Sequence, residues 1–81
     1  MNLKKILFSK EFLKFCSFEY GISSVDLLKY SRVDLFSILI KWRAHGLLYF
    51  KNLEQYNEVS TLINKGFIYF CDMLNVIHYY D

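Results

Sequence analysis

The chain contains no proline and only three glycines, at positions 21, 46 and 66. In 81 residues these are the only strong helix breakers, so helical segments can run undisturbed between them. Each glycine follows a stretch with helical spacing of apolar residues, as a left-handed residue just past a helix end does. The chain is thereby cut into four segments. The fold they predict is all-α, a compact bundle of four or five short helices, with 1–81 forming a single small helical domain.

The first segment has apolar residues at 3, 6, 7, 12, 13, 15, 16 and 18, with lysines at 4, 5, 10 and 14 between them. This is an amphipathic helical pattern over 2–20. Lys10 and Lys14 fall on one exposed face at i,i+4 spacing, and Ser9 is a candidate N-cap that divides the segment. In the second segment, Ser23 or Ser24 caps a short helix over 25–30. Ser31 then caps a longer one, with Asp34 at N3 in an arrangement close to a capping box. The long helix is apolar at 33, 35, 36, 38, 39, 40, 42 and 44. Apolar character nearly all round predicts a central helix contacted on several sides. Lys41 and Arg43 lie in its last turns, where cations suit the helix dipole. In the third segment, Asn52 caps a helix over 53–65 with apolar residues at 53, 56, 59, 62 and 63.

The glycine stops share a pattern. At an offset of 20, Gly46/Gly66, Tyr49/Tyr69 and Phe50/Phe70 are identical, and Leu39/Val59, Trp42/Leu62, Leu47/Phe67 and Leu48/Ile68 stay apolar. Two units fall short of a solenoid, so the pattern reads as one stop motif used twice. If Gly46 is the first residue past the helix, Trp42 and Leu47 take the two positions that touch in a Schellman stop, and Leu62 and Phe67 do so at Gly66. The fourth segment, 67–81, is a helix, unless 47–50 and 67–70 pair as a minor two-stranded element. These two runs are the only strand candidates.

Composition sharpens what such a bundle is for. Apolar residues make up 54% and aromatic residues 20%, against an average apolar share of about 45–50% that already counts glycine. A chain near the lower size limit for an independent core therefore has apolar side chains to spare, and an exposed apolar patch marks an interface. Residues 1–51 hold nine Lys/Arg against four acids, a net of +5, while residues 52–81 hold one lysine against four acids, a net of −3. That polarity orients a partner but is well short of a dedicated nucleic-acid patch.

No run approaches the roughly 20 apolar residues of a membrane span; the longest without a charged residue is 73–80. The apolar part of MNLKKILF ends before the roughly 7–15 residues of a signal core. Cys16 and Cys71 are too far apart for a framework of closely spaced disulfides and read as buried free thiols. A soluble, non-secreted protein of a reducing compartment, cytoplasm or organelle matrix, is expected. The Phe-, Ile-, Lys-, Tyr- and Asn-rich usage suits an AT-rich genome, such as that of a virus or an organelle.

Catalytic, metal and cofactor sites are not expected. Cys16, His45, Cys71 and His78 have the composition of a zinc site without its spacing. Cys71 and His78, seven apart, read as packing rather than a thiol–base pair. Glu54 and Glu58 are like charges on a solvated face, and there is no Gly-rich phosphate loop.

Residues 23–50 hold a short capped helix, a tight junction and a longer helix ending in Gly-apolar-apolar. This resembles the helix-turn-helix of winged-helix domains, whose second helix enters the major groove. That resemblance implies nucleic-acid contacts from Arg32, Lys41 and Arg43 and a wing strand after Gly46. Two departures stand against it. The polar donors Arg32, Ser37, Lys41 and Arg43 sit among many apolar residues, and a helical pattern of about 13 residues separates the strand candidates. RAHGLLYF, residues 43–50, is also similar to the Arg-Ala-x-Gly-Leu-Leu-Pro-Phe end of small-subunit ribosomal protein eighteen, with Tyr49 in place of proline. This implies phosphate contacts from Lys41 and Arg43, yet the chain lacks most of that family's cations and continues for about thirty further residues.

The expectation that follows is a non-catalytic interaction protein. It is a subunit of a larger assembly or a binder of another protein or of a second copy, through an aromatic and aliphatic face. The candidate anchors are Lys41, Trp42, Arg43, Tyr49 and Phe50, or the tail pair Tyr79 and Tyr80. The second reading is a nucleic-acid binder using the helix within 31–45.

Overall fold

The structure, a computed structural model, describes residues 3–80, with side chains through residue 76. Six α-helices and no strand are found among the described residues: α1 (Leu3–Leu7), α2 (Lys10–Tyr20), α3 (Ser24–Leu27), α4 (Arg32–Ala44), α5 (Leu53–Asn64) and α6 (Gly66–Tyr80). The expected two-stranded element does not form. Residues 47–49 are a turn and 67–70 are the first part of α6. Both runs are too short and too uniformly apolar for periodicity to separate strand from helix. No helix among the described residues is long and apolar enough to cross a membrane.

Capping explains where the helices begin. Ser9 splits the first segment: its Oγ accepts from the Phe12 N–H and donates to the Ile6 carbonyl, closing α1 and opening α2. Ser23 and Ser31 accept from the Asp26 and Asp34 N–H groups. Asn52 accepts from the Gln55 N–H, and Gln55 Oε1 accepts in return from the Lys51 N–H. Each cap satisfies an amide that the helix itself leaves unpaired. α3 ends at Leu27 rather than at residue 30, because the N–H groups of Lys29 and Tyr30 turn back to Asp26 and Leu27. The chain is then free to enter the extended backbone that Ser31 needs as a cap.

α4 touches α2, α5 and α6, and its residues Leu35, Ile38, Leu39 and Trp42 form the buried stripe. Its circumference is not fully covered, since Val33 and Ile40 remain exposed. Around this stripe lie Leu3, Ile6 and Leu7 of α1, Phe12, Phe15 and Cys16 of α2, Val59 and Leu62 of α5, and Phe70 and Leu74 of α6. The Cα radius of gyration, 11.7 Å, is what a compact domain of this length has.

The two glycine stops shape the rest. Gly46 and Gly66 have φ of 67° and 86°, and every non-glycine residue described has negative φ. After Gly46 the chain makes one turn closed by Phe50 N–H to the Leu47 carbonyl, then reaches the Asn52 cap. After Gly66 it enters α6 directly. Burial in 41–50 repeats position by position in 61–70. Trp42 and Leu62 are buried, as are Phe50 and Phe70, while Leu47, Leu48, Phe67 and Ile68 are exposed. Trp42 stacks on Phe50 at 4.1 Å between centroids and 9° between planes, while Leu47 is 55% exposed.

Candidate interaction groove

Trp42 is the largest fully buried side chain. Its Nε1–H donates to the Tyr49 carbonyl at 3.3 Å, the partner a buried indole requires. Phe12 and Phe50 pack on the same ring system, and Tyr56 meets Phe50 edge-on. These contacts hold the 46–50 turn against α4. Tyr49 secures it to α2: its hydroxyl donates to Glu19 Oε1 at 2.7 Å, and its ring meets Phe15 edge-on. The hydrogen bond to Glu19 is the main cause that raises the Tyr49 phenol above its ordinary value. His45 stands beside them, with Nε2 3.9 Å from the same Glu19 oxygen and Nδ1–H donating to the Lys41 carbonyl at 2.8 Å.

A groove of about 650 Å³ runs between this turn and α2. One wall is the row Lys10, Lys14, Phe18, spaced so that all three lie along one helix face. The other wall is Leu48, Tyr49 and Phe50. Phe18 is 71% exposed and Leu48 77% exposed. Lys14 Nζ lies 5.7 Å from the Phe18 ring centroid, within cation–π range. Glu11, the only acid lining the groove among the described residues, has Oε1 accepting from Gln55 Nε2 at 2.9 Å. The groove thus offers two large apolar side chains and two ammonium groups.

The candidate anchors divide. Trp42 and Phe50 belong to the core, though Phe50 also lines the groove. Tyr49 is half-buried and lines it. Lys41 is exposed, 5.6 Å from the Tyr20 ring. Arg43 is half-buried, and its Nε–H donates to Ser60 Oγ at 2.9 Å, linking α4 to α5. Arg32 is exposed at the far end of α4. At about 100° per residue, Lys41 lies about 180° around α4 from Arg32, and Arg43 about 20° from it. The three cations proposed for nucleic-acid contact therefore do not share one helix face. The side chains of Tyr79, Tyr80 and His78 lie outside the described residues.

Phe18 and Leu48 carry the groove and were not among the anchors read from sequence. Phe18 is legible in retrospect as the next step of the Lys10–Lys14 row. Leu48 had no such signal, since its exposure depends on where Gly46 sends the chain. No group of three His, Cys, Asp or Glu side chains among the described residues is placed to hold a metal. Cys16 and Cys71 are free thiols, and burial pushes the Cys16 thiol up to about 11, away from thiolate chemistry.

Comparison of the chain with models of protein families, with curated proteins and with solved structures finds no match.

Proposed function

We propose that the protein is a non-catalytic interaction module that docks a segment of another protein in the groove between α2 and the 46–50 turn. The observation that carries this reading is the pairing of Phe18 and Leu48, both mostly in water, on opposite walls of one groove. A large apolar side chain gains about 1.5–3 kcal/mol when removed from water, so two such side chains facing one groove provide the centre of an interface. Lys10 and Lys14 beside them select a partner segment with acidic residues next to apolar ones, and exposed charges of this kind speed and orient association. Trp42 and Phe50 support the site from within, by fixing the turn that presents Leu48.

Peptide selection against the immobilised protein tests this. The selected consensus should combine apolar and acidic residues. It should shift the amide resonances of 10–18 and 47–50, and lose binding in Phe18→Ser/Leu48→Ser, both at exposed positions. A consensus that maps elsewhere, or a double variant that binds as well as the native chain, would sink the reading. Steeply salt-dependent binding to oligonucleotides, lost in Lys41→Ala/Arg43→Ala, would replace it with a nucleic-acid function.

A further inference from the structure

A second concavity, of about 350 Å³ and more enclosed than the groove, opens where α1, α3, α4 and α6 meet. Its floor is four buried leucines, one from each helix: Leu7, Leu27, Leu35 and Leu74. Phe8, Leu28 and Tyr30 stand at its rim, all partly or largely exposed. The only charged residues lining it among those described are Lys4 and Arg32, both cationic. Two other concavities lined by lysines, the α2 groove and one between residues 5–11 and 51–58, also contain glutamates. From these features the geometry points to a binding site for a small amphiphilic anion, a single alkyl chain carrying a carboxylate.

The volume is in the range of small-molecule pockets. Among the described residues the floor is leucine alone and offers no side-chain hydrogen bond, so it takes hydrocarbon. Any polar recognition must come from the rim, where Arg32 makes no ion pair among the described residues. A guanidinium presents a planar fork of donors that matches a carboxylate, and such charge-assisted pairs are stronger than neutral ones. Lys4, which has an interaction of its own, adds positive potential, but the assignment rests on Arg32. The site uses none of the residues of the α2 groove, so either reading stands without the other.

The test compares three ligands of equal chain length, decanoate, 1-decanol and decyltrimethylammonium, each below its aggregation concentration. They are titrated into isotopically labelled full-length protein and followed by amide shifts. Decanoate should saturate and perturb residues 4–8 and 27–35. Decanol should bind about tenfold more weakly, the scale of one charge-assisted hydrogen bond, and the ammonium weaker still. Arg32→Gln should bring decanoate down to the level of decanol without changing decanol. Leu28→Asp, at an exposed rim position, should weaken decanoate more than decanol. Non-saturating decanoate, shifts confined to other helices, equal affinity for decanoate and decanol, or an Arg32→Gln variant that binds decanoate unchanged would each overturn the assignment.

Discussion

After Gly46 and after Gly66 the chain behaves alike for four residues and then diverges. In both places a left-handed glycine is followed by two exposed apolar residues and a phenylalanine returned to the core. Beyond Phe50 the next helix has a fresh start, with Asn52 accepting from the Gln55 N–H and Gln55 Oε1 accepting from the Lys51 N–H. Beyond Phe70 the equivalent positions are Asp72 and Asn75, and α6 runs on to Tyr80. The inner ends differ too. Trp42 gives the first exit an indole N–H bonded to the Tyr49 carbonyl and a ring stacked on Phe50, whereas Leu62 has no donor to offer. The same stop motif therefore serves as a pinned loop in one place and as a bare helix junction in the other. The pinned loop projects an apolar residue, Leu48, across a groove from exposed lysines.

The largest effects should come from the two inner ends. Trp42→Ala removes the centre of the aromatic cluster and should cost about 3–5 kcal/mol; Leu62→Ala should cost about 2–5 kcal/mol. Denaturant titration measures both. Trp42→Leu is the sharper variant, because it gives the first exit the residue used by the second. If the indole pins the loop, amide exchange across 47–50 should accelerate in that variant while exchange across 67–70 stays as in the native chain. Unchanged protection of 47–50 would show that the loop is held by its other contacts and that the comparison is misdrawn.

The glycines come next. A Cβ placed at Gly46 or at Gly66 meets no atom within 4 Å, so an alanine there suffers only the left-handed backbone, about 1–2 kcal/mol. Gly46→Ala and Gly66→Ala should therefore destabilise equally, with asparagine milder at both sites because it tolerates that conformation. A Gly66→Ala penalty less than half that of Gly46→Ala would break the equivalence and show α5 and α6 joining without the left-handed turn.

What was legible in the sequence follows the range of the interactions. Ser9, Ser23, Ser31 and Asn52 act as caps because a cap joins residues two or three apart, and the positive φ of the three glycines is equally local. The offset-20 pattern was legible for the same reason. Nothing local distinguishes Trp42 and Phe50 as core from Phe18 and Leu48 as surface, since all four are large and apolar. Their fates depend on which helix covers them: Phe12 lies over Trp42, and nothing described covers Leu48 as fully. The apparent strands failed for a related reason. A four-residue apolar run has no period of its own, and the 15-residue reach of α6 decided its state.

The smallest effect separates the two tyrosines of the repeat. The Tyr49 hydroxyl donates to Glu19 and bridges the loop to α2. Tyr69 has Lys65 Nζ 4.5 Å from its ring centroid, and its hydroxyl makes no hydrogen bond among the described residues. Tyr49→Phe should therefore weaken the fold slightly and Tyr69→Phe should leave it unchanged. The pH dependence identifies the cause. The Tyr49 phenol is raised above its ordinary value, first by its hydrogen bond to Glu19. The stability it contributes is thus fully present below the ordinary value, about 10, and is lost as the pH rises through the raised one. Cys16, pushed up to about 11 by burial, loses its contribution in the same alkaline region, so the native curve alone does not separate the two groups. The difference between native and Tyr49→Phe stability does, because Cys16 is common to both. That difference should be constant from neutral pH to about 10 and shrink above it. A difference that grows with alkaline pH would mean that the phenolate, rather than the phenol, is the form the loop favours.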